Sequence, residues 1–320
     1  MIRITDRTLS CLDDLPHDKP VLLRFLACLI EMGIDTIELS QKMYDLLLPL
    51  PEHSSYLLRI KRAVDIAKYA RIEKFICMNA PSDADERIYA ETRLNNIYEI
   101  PVIARFANCK KLRIQGMDNA LCDHYLEIFT YVKKYFCGDI EFCPTDRFHC
   151  ATALATEWAT NGMGNDIVTS FGGIGGFAPT EELIMILRMS RLRHADKTYA
   201  IFPCAANLFN EITGKKLHGY KPIIGKRIFN VESGVHVDGI LKQPKCYEPF
   251  PPEIVGQTRK IVLGKQSGTA SIRAKLSELN IECAKEYIPT ILEQVKIKAL
   301  ENNGAISDKE FAEIVKGCQP

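Results

Sequence analysis

Two sets of residues in this chain could do chemistry. Gly172-Gly173-Ile174-Gly175-Gly176 stands just before a helical pattern that opens at Thr180. Glycines there can turn backbone N–H groups toward a phosphate, with the positive end of a helix dipole behind them. Gly173, Gly175 and Gly176 are therefore the candidates for holding a phosphate-bearing cofactor, although glycine also serves any tight strand-to-helix turn. The second set is histidine, whose pKa near neutrality suits proton transfer. His17, His53, His124, His149, His194 and His218 have no metal-ligand spacing to one another and read as packed or surface side chains. His236 is isolated too, inside the run Glu232-Ser233-Gly234-Val235-His236-Val237-Asp238-Gly239. Twelve cysteines contain no CxxC pair, which leaves a zinc site or a thioredoxin-like motif unsupported. They read as reduced thiols packed as small hydrophobes in a cytosol.

The elements that must position these residues alternate. Strands are expected at 2–5, 35–39, 74–78, 102–105, 112–115, 139–143 and 166–170. Helices are expected at 20–32, 56–70, 83–97, from Asp118 to about 136, 151–160 and 180–193. That order argues for a parallel sheet with crossover helices, about seven strands and thus one short of an eight-stranded barrel. The link 106–111 leaves no room for a crossover helix, so a βα unit is expected to be trimmed there. After Leu192 the character changes. A helix at 203–213 is followed by a Gly-, Pro- and Lys-rich stretch over 214–270, then a helical pair at 281–302 and 307–315. The expected organisation is a barrel-like domain over 1–195, a linker over 196–272 and a helical subdomain over 273–320. A net charge of +1 and 25% charged residues give no reason to expect nucleic acid or a membrane surface as partner. The charged start MIRITDRTLS has no apolar core of a secretory signal, and no apolar run is long enough to span a bilayer. A cytoplasmic protein is expected.

Residues 222–272, PIIGKRIFNVESGVHVDGILKQPKCYEPFPPEIVGQTRKIVLGKQSGTASI, resemble the region after the barrel in the homocitrate, isopropylmalate and citramalate synthases, above all homocitrate synthases of the nitrogen-fixation type. The resemblance implies a TIM barrel, here shortened or degenerate, followed by an extended linker and a small helical subdomain. It implies a Claisen-type condensation of acetyl-CoA with a 2-oxo acid. Such chemistry needs a divalent metal on the keto oxygen, a cation for developing charge, and an acid/base for the methyl proton. The family's cross-subunit catalytic His falls on His236, its partner Tyr on Tyr247 in KCYEPF, and the acid of the same motif on Glu232. Gly264-Lys265-Gln266-Ser267-Gly268 parallels a GKHSG run. The glycines at 173, 175 and 176 would then face acetyl-CoA.

The barrel half departs from the family. Where the first strand should read DTTLRDGEQ, this chain reads Asp6-Arg7-Thr8-Leu9-Ser10-Cys11-Leu12-Asp13, with Ser10 for the Arg and Cys11 for a metal carboxylate. Arg7 and Asp13 are the candidates for displaced substitutes, although an Arg three positions earlier starts from a different point of the strand. An HxHND-like motif is replaced by Cys143-Pro144-Thr145-Asp146-Arg147, and a GERAGN-like run by Gly172–Pro179 without Glu, Arg or Asn. Four ligands missing together imply that this chain holds no metal, since Mg, Mn or Zn needs several donors at fixed geometry. The metal is then expected in a partner. The resemblance thus implies an omega-like subunit of a heteromeric homocitrate synthase, lending His236 and Tyr247 to the barrel of an alpha-type subunit. The alternatives are a non-catalytic regulatory or scaffold homologue, and a relocated site built from Asp6, Asp13, Glu38 and Asp146.

Overall fold

The computed structural model describes every residue except 17, 54, 79, 81–84, 120–123 and 320. His17 and the start of the helix expected at 83–97 lie outside the described residues. Two compact units emerge: residues 1–197 with 201–218 and 222–224, and residues 225–320 with 198–200 and 219–221.

Among the described residues of the first unit, eight strands close a barrel: β1 (Arg3–Asp6), β2 (Thr36–Ser40), β3 (Tyr56–Arg59), β4 (Lys74–Cys77), β5 (Ile88–Leu94), β6 (Lys111–Gly116), β7 (Asp139–Pro144) and β8 (Asp166–Thr169). Each pairs in parallel with its sequence neighbours, and Ile4 of β1 stands against Ile167 of β8 to seal the ring. The expected TIM-barrel-like class with a helical C-terminal part is the class observed. The expectation of seven strands is corrected to eight: the barrel is complete in strands and shortened in its crossovers.

Three sequence-based expectations change here. Residues 56–70 are not one amphipathic helix but β3 and then a 3₁₀ turn at Ala63–Lys68. Leu57 and Leu58 are both buried, which a strand enclosed on both faces allows, and a short apolar run does not distinguish strand from helix by period. Residues 88–94, expected as helix, form β5, whose Glu91 faces inward toward arginine. The strand expected at 102–105 is part of a 3₁₀ segment, Ile97–Phe106, with Pro101 inside it. That segment is itself the trimmed crossover, so the link 106–111 can be short.

Full helices survive where amphipathic patterns are long. They are α1 (Lys19–Met32), α2 (Gln41–Leu47), α3 (Tyr125–Tyr135), α4 (Ala151–Thr160), α5 (Thr180–Met189) and α6 (Phe202–Thr213). Helix α1 ends at Gly33, whose φ of 83° only glycine adopts without strain. Phe25 of α1 packs against Phe171 and Phe209, ring centroids 5.6 and 6.3 Å away, and ties α1 and α6 to the end of β8.

The second unit carries β9 (Asn230–Val231), α7 (Gly234–Lys242), β10 (Lys260–Ile261), α8 (Thr269–Glu278), α9 (Ile288–Glu301) and α10 (Asp308–Cys318). Its core gathers Leu263, Ile272, Ile291, Val295, Phe311 and Val315. Each such side chain, fully buried, contributes about 1.5–3 kcal/mol. Ser307 and Glu310 form a reciprocal capping box at the start of α10. No helix among the described residues is long and apolar enough to cross a membrane.

Candidate functional site

In the second unit, the two motifs singled out in the sequence build one structure. Strands β9 and β10 pair in parallel, Asn230 against Lys260 and Val231 against Ile261. Each strand then turns into a helix, β9 through Glu232 and Ser233 into α7, β10 through residues 264–268 into α8. The turns touch: a Cβ on Gly234 would lie 2.7 Å from Gly268 Cα, so both glycines allow backbone to meet backbone. Glu232 Oε1 accepts the Gln266 N–H at 2.8 Å, and its backbone carbonyl accepts Ser271 Oγ at 3.1 Å. Glu232 therefore fixes the 264–268 loop against the entry of α7.

Helix α7, hidden in a stretch without periodic runs, carries His236 on its exposed face while Val237 and Ile240 are buried. After α7 a 3₁₀ turn at Pro244–Cys246 brings Tyr247 back over the helix. The rings of His236 and Tyr247 are 5.8 Å apart at 58°. Gly239 makes this possible, because a Cβ there would fall on the Tyr247 ring. Thus Glu232, His236 and Tyr247 are organised by the same glycines that mark the motif. The two rings form an exposed pair, and Glu232 is committed to the loop.

The barrel interior holds a lattice of ion pairs. Glu91, Arg113 and Glu141 are in-register neighbours on β5, β6 and β7. Arg113 Nε donates to Glu141 at 2.7 Å, and its Nη1 reaches Glu38 of β2. Arg59 of β3 binds Glu38 through Nε at 2.9 Å and grips Glu91 with both terminal nitrogens at 2.7 and 2.9 Å. Arg7 joins at 3.8 Å from Glu38. Three arginines thus offset three glutamates, as buried charge requires. Burial opposes ionisation of Glu38, but Arg113, Arg59 and Arg7 outweigh it and hold its pKa well below the usual carboxylate range. For Arg113 burial is likewise overcome, by Glu141, Glu38 and Glu91.

The positions expected to have lost the metal ligands lie around Arg7. Its Nη1 is 3.4 Å from Cys143 Sγ, and its guanidinium carbon stacks 4.0 Å from the Phe177 ring centre. Cys11 packs on the cluster of Cys143, Val168 and Phe177. Burial pushes the Cys143 thiol up to about 11 and raises Cys11 too, so both stay protonated and are poor ligands. Thr145 Oγ1 is buried without a hydrogen-bond partner among the described residues. Two neutral thiols, a hydroxyl and a fixed guanidinium do not fit a divalent cation. Ser10 Oγ lies 2.9 Å from the Arg7 carbonyl and 3.0 Å from Glu38 Oε1, with one proton to share between them, a neutral prop where the resemblance expects a cation.

The residues of the relocated-site alternative are committed separately. Asp6 accepts from Thr180 at 2.5 Å and from the Thr8 N–H at 2.9 Å. Asp13 accepts from Ser40 at 2.5 Å, Glu38 belongs to the lattice, and Asp146 caps α4 through the Ala151 N–H at 3.0 Å. Among the described residues no group of three or more His, Cys, Asp or Glu converges as a metal site.

The glycine loop has positive φ at Gly172, Gly173, Gly175 and Gly176. Gly172 N–H donates to Glu181 at 2.9 Å, while Gly173 and Gly176 donate to Ser170 and Gly173 carbonyls at 3.0 and 3.1 Å. A Cβ on Gly175 would lie 2.8 Å from the Phe177 ring and 3.0 Å from Cys11 Sγ. These glycines serve the turn itself, and the Glu181 carboxylate already stands at its first N–H. Sequence reasoning missed the ion lattice, although its signal is present: β2, β3, β5, β6 and β7 each carry a charge inside an apolar run.

Fold and motifs define the class: a TIM barrel joined to a motif-bearing arm and a helical unit. Residues 223–303 match the family model described as homocitrate synthase post-HMGL domain-like. The chain is 29% identical over 321 aligned positions to the homocitrate synthase omega subunit of Clostridium pasteurianum, covering 91% of this chain and 88% of that subunit. It is 39% identical over 159 positions to homocitrate synthase AksA of Methanothermobacter thermautotrophicus, but spans only 40% of that relative. Among solved structures, the HMG-CoA lyase of Bacillus subtilis superposes with a TM-score of 0.52 at 15% identity, over 68% of this chain and 95% of the lyase, a likeness of fold alone. The chain is thus similar to homocitrate synthases, an omega subunit among them.

Proposed function

We propose that this protein is one subunit of a heteromeric homocitrate synthase, condensing acetyl-CoA with 2-oxoglutarate toward the iron–molybdenum cofactor of nitrogen fixation. Its contribution is the arm. His236 and Tyr247 stand paired and exposed on α7, ready to handle the methyl proton of acetyl-CoA once set in another chain's barrel. That partner, an alpha-type subunit, would supply the divalent metal, Mg, Mn or Zn, that polarises the keto oxygen. The observation that carries this reading is the contrast between an intact His–Tyr pair and metal positions taken by Arg7, Cys11 and Cys143. Similarity to an omega subunit over most of the chain supports it.

The test is CoA release from acetyl-CoA and 2-oxoglutarate, with this chain alone, with a metal-motif barrel subunit alone, and with both. Turnover is expected only in the mixture. His236→Ala is expected to abolish it while co-purification persists. Turnover by the isolated chain overturns the reading, and full turnover in the His236→Ala mixture leaves a regulatory or scaffold homologue in its place.

A further inference from the structure

The second unit contains a cavity of about 430 Å³ that the His–Tyr arm does not use. Its walls come from the turn at 219–221, the β9 strand, the 264–268 loop and the C-terminal end of α9. Arg227 lies with its guanidinium carbon 4.7 Å from the Tyr220 ring centre. Its stem is seated over Gly219, where a Cβ would be 2.7 Å from Arg227 Cδ. Lys265 lines the same cavity. Neither cation has a carboxylate partner among the described residues, which sets them apart from Arg59, Arg113, Arg193 and Arg259. Asn230 and Asn303 line the same space. So does Glu232: Oε1 takes the Gln266 N–H, and Oε2 receives no donor among the described residues. Val262 and Ala299 supply apolar wall.

We propose that this cavity binds a small organic anion carrying two carboxylates and a hydroxyl. Arg227 and Lys265 take the carboxylates, the stacked guanidinium offering its planar fork to one of them. The hydroxyl donates to Glu232 Oε2, a group that would repel an anion without a donor beside it. The volume suits a ligand of that size. Because Glu232 also anchors the loop beside α7, the occupant touches the structure that carries His236. Binding at this cavity needs no partner chain, so it stands or falls apart from the subunit reading.

The experiment is isothermal titration of the full chain at low salt with malate, with succinate, which lacks the hydroxyl, and with inorganic phosphate. One malate per chain is expected, held more tightly than succinate or phosphate. Arg227→Ala and Lys265→Ala should each weaken it about tenfold or more, with thermal melts confirming that these exposed substitutions leave the chain folded. No saturable malate heat at about 10 mM, a millimolar limit, overturns the site, as does malate binding unchanged in Arg227→Ala. Succinate bound as tightly as malate overturns the role of Glu232.

Discussion

The Arg7 guanidinium lies 3.4 Å from the Cys143 thiol and stacks on Phe177, at the point where the family resemblance expects a cation held by protein ligands. The positive charge is there, but covalently attached. Glu38 answers it at 3.8 Å while also binding Arg59 and Arg113. The buried charges of the barrel interior thus answer one another within the chain.

The lattice should be costly to break from within. Arg113 is fully buried and touches Glu38, Glu91 and Glu141. Arg113→Met leaves three carboxylates facing two arginines, and loss of one partner from a buried network costs about 3–5 kcal/mol. Arg7→Met, on the periphery, should cost clearly less. Urea denaturation followed by circular dichroism measures both; an Arg113→Met penalty below that of Arg7→Met contradicts the arrangement.

Metal should not stabilise this chain. A ligand that binds only the folded state raises the melting temperature by mass action. With protonated Cys11 and Cys143 beside Arg7, Mg²⁺ or Mn²⁺ is expected to leave the melt unchanged, with or without EDTA. A saturable rise that EDTA reverses would show a donor set the barrel interior does not display.

Much of the fold was legible because its signals are local. Helix α4 falls where its pattern ends, and β1, β2, β4, β6, β7 and β8 are short apolar runs between turn residues. Strands β3 and β5 were not legible, since Arg59, Glu91 and Arg93 read as helix-like polarity unless their partners are known. Those partners are distant in sequence: Glu91 stands 32 positions from Arg59. Helix α7 was concealed by its own glycines. Gly234 and Gly239 lower helix propensity but are needed where Gly268 and Tyr247 approach. The site residues in the motif were legible by resemblance, whereas their geometry follows from contacts that no spacing reveals.

Gly239 is a sharp probe of the arm. Gly239→Ala should favour helix α7 by about 1 kcal/mol on propensity alone, yet its Cβ would occupy the Tyr247 ring position. The ring must then leave His236. Proton NMR of the imidazole reads this directly: removing the nearby ring by Tyr247→Leu changes the His236 ring-current shift, and Gly239→Ala should change it in the same direction. An unmoved His236 resonance in both variants would mean the two rings do not meet in solution.

Asp6 gives the barrel a pH dependence of opposite sign to most carboxylates. Complete burial pushes its pKa up to about 6, against the hydrogen bonds from Thr180 and Thr8 that lower it. A folded-state pKa above the unfolded value means the folded chain binds the proton more tightly. The stabilisation is full below about pH 4, the unfolded value, and is lost as pH rises through the folded value near 6. A displacement from 3.8 to about 6 corresponds to about 3 kcal/mol. Glu38, displaced downward, acts in the other direction and only as pH falls through its own range. Between pH 4.5 and 7 the Asp6 contribution therefore declines. Asp6→Asn, uncharged throughout, should flatten that slope and close the gap to wild type as pH rises. Urea unfolding at a series of pH values supplies the measurement, and a wild-type and Asp6→Asn pair running parallel from pH 4.5 to 7 would place the buried Asp6 proton elsewhere.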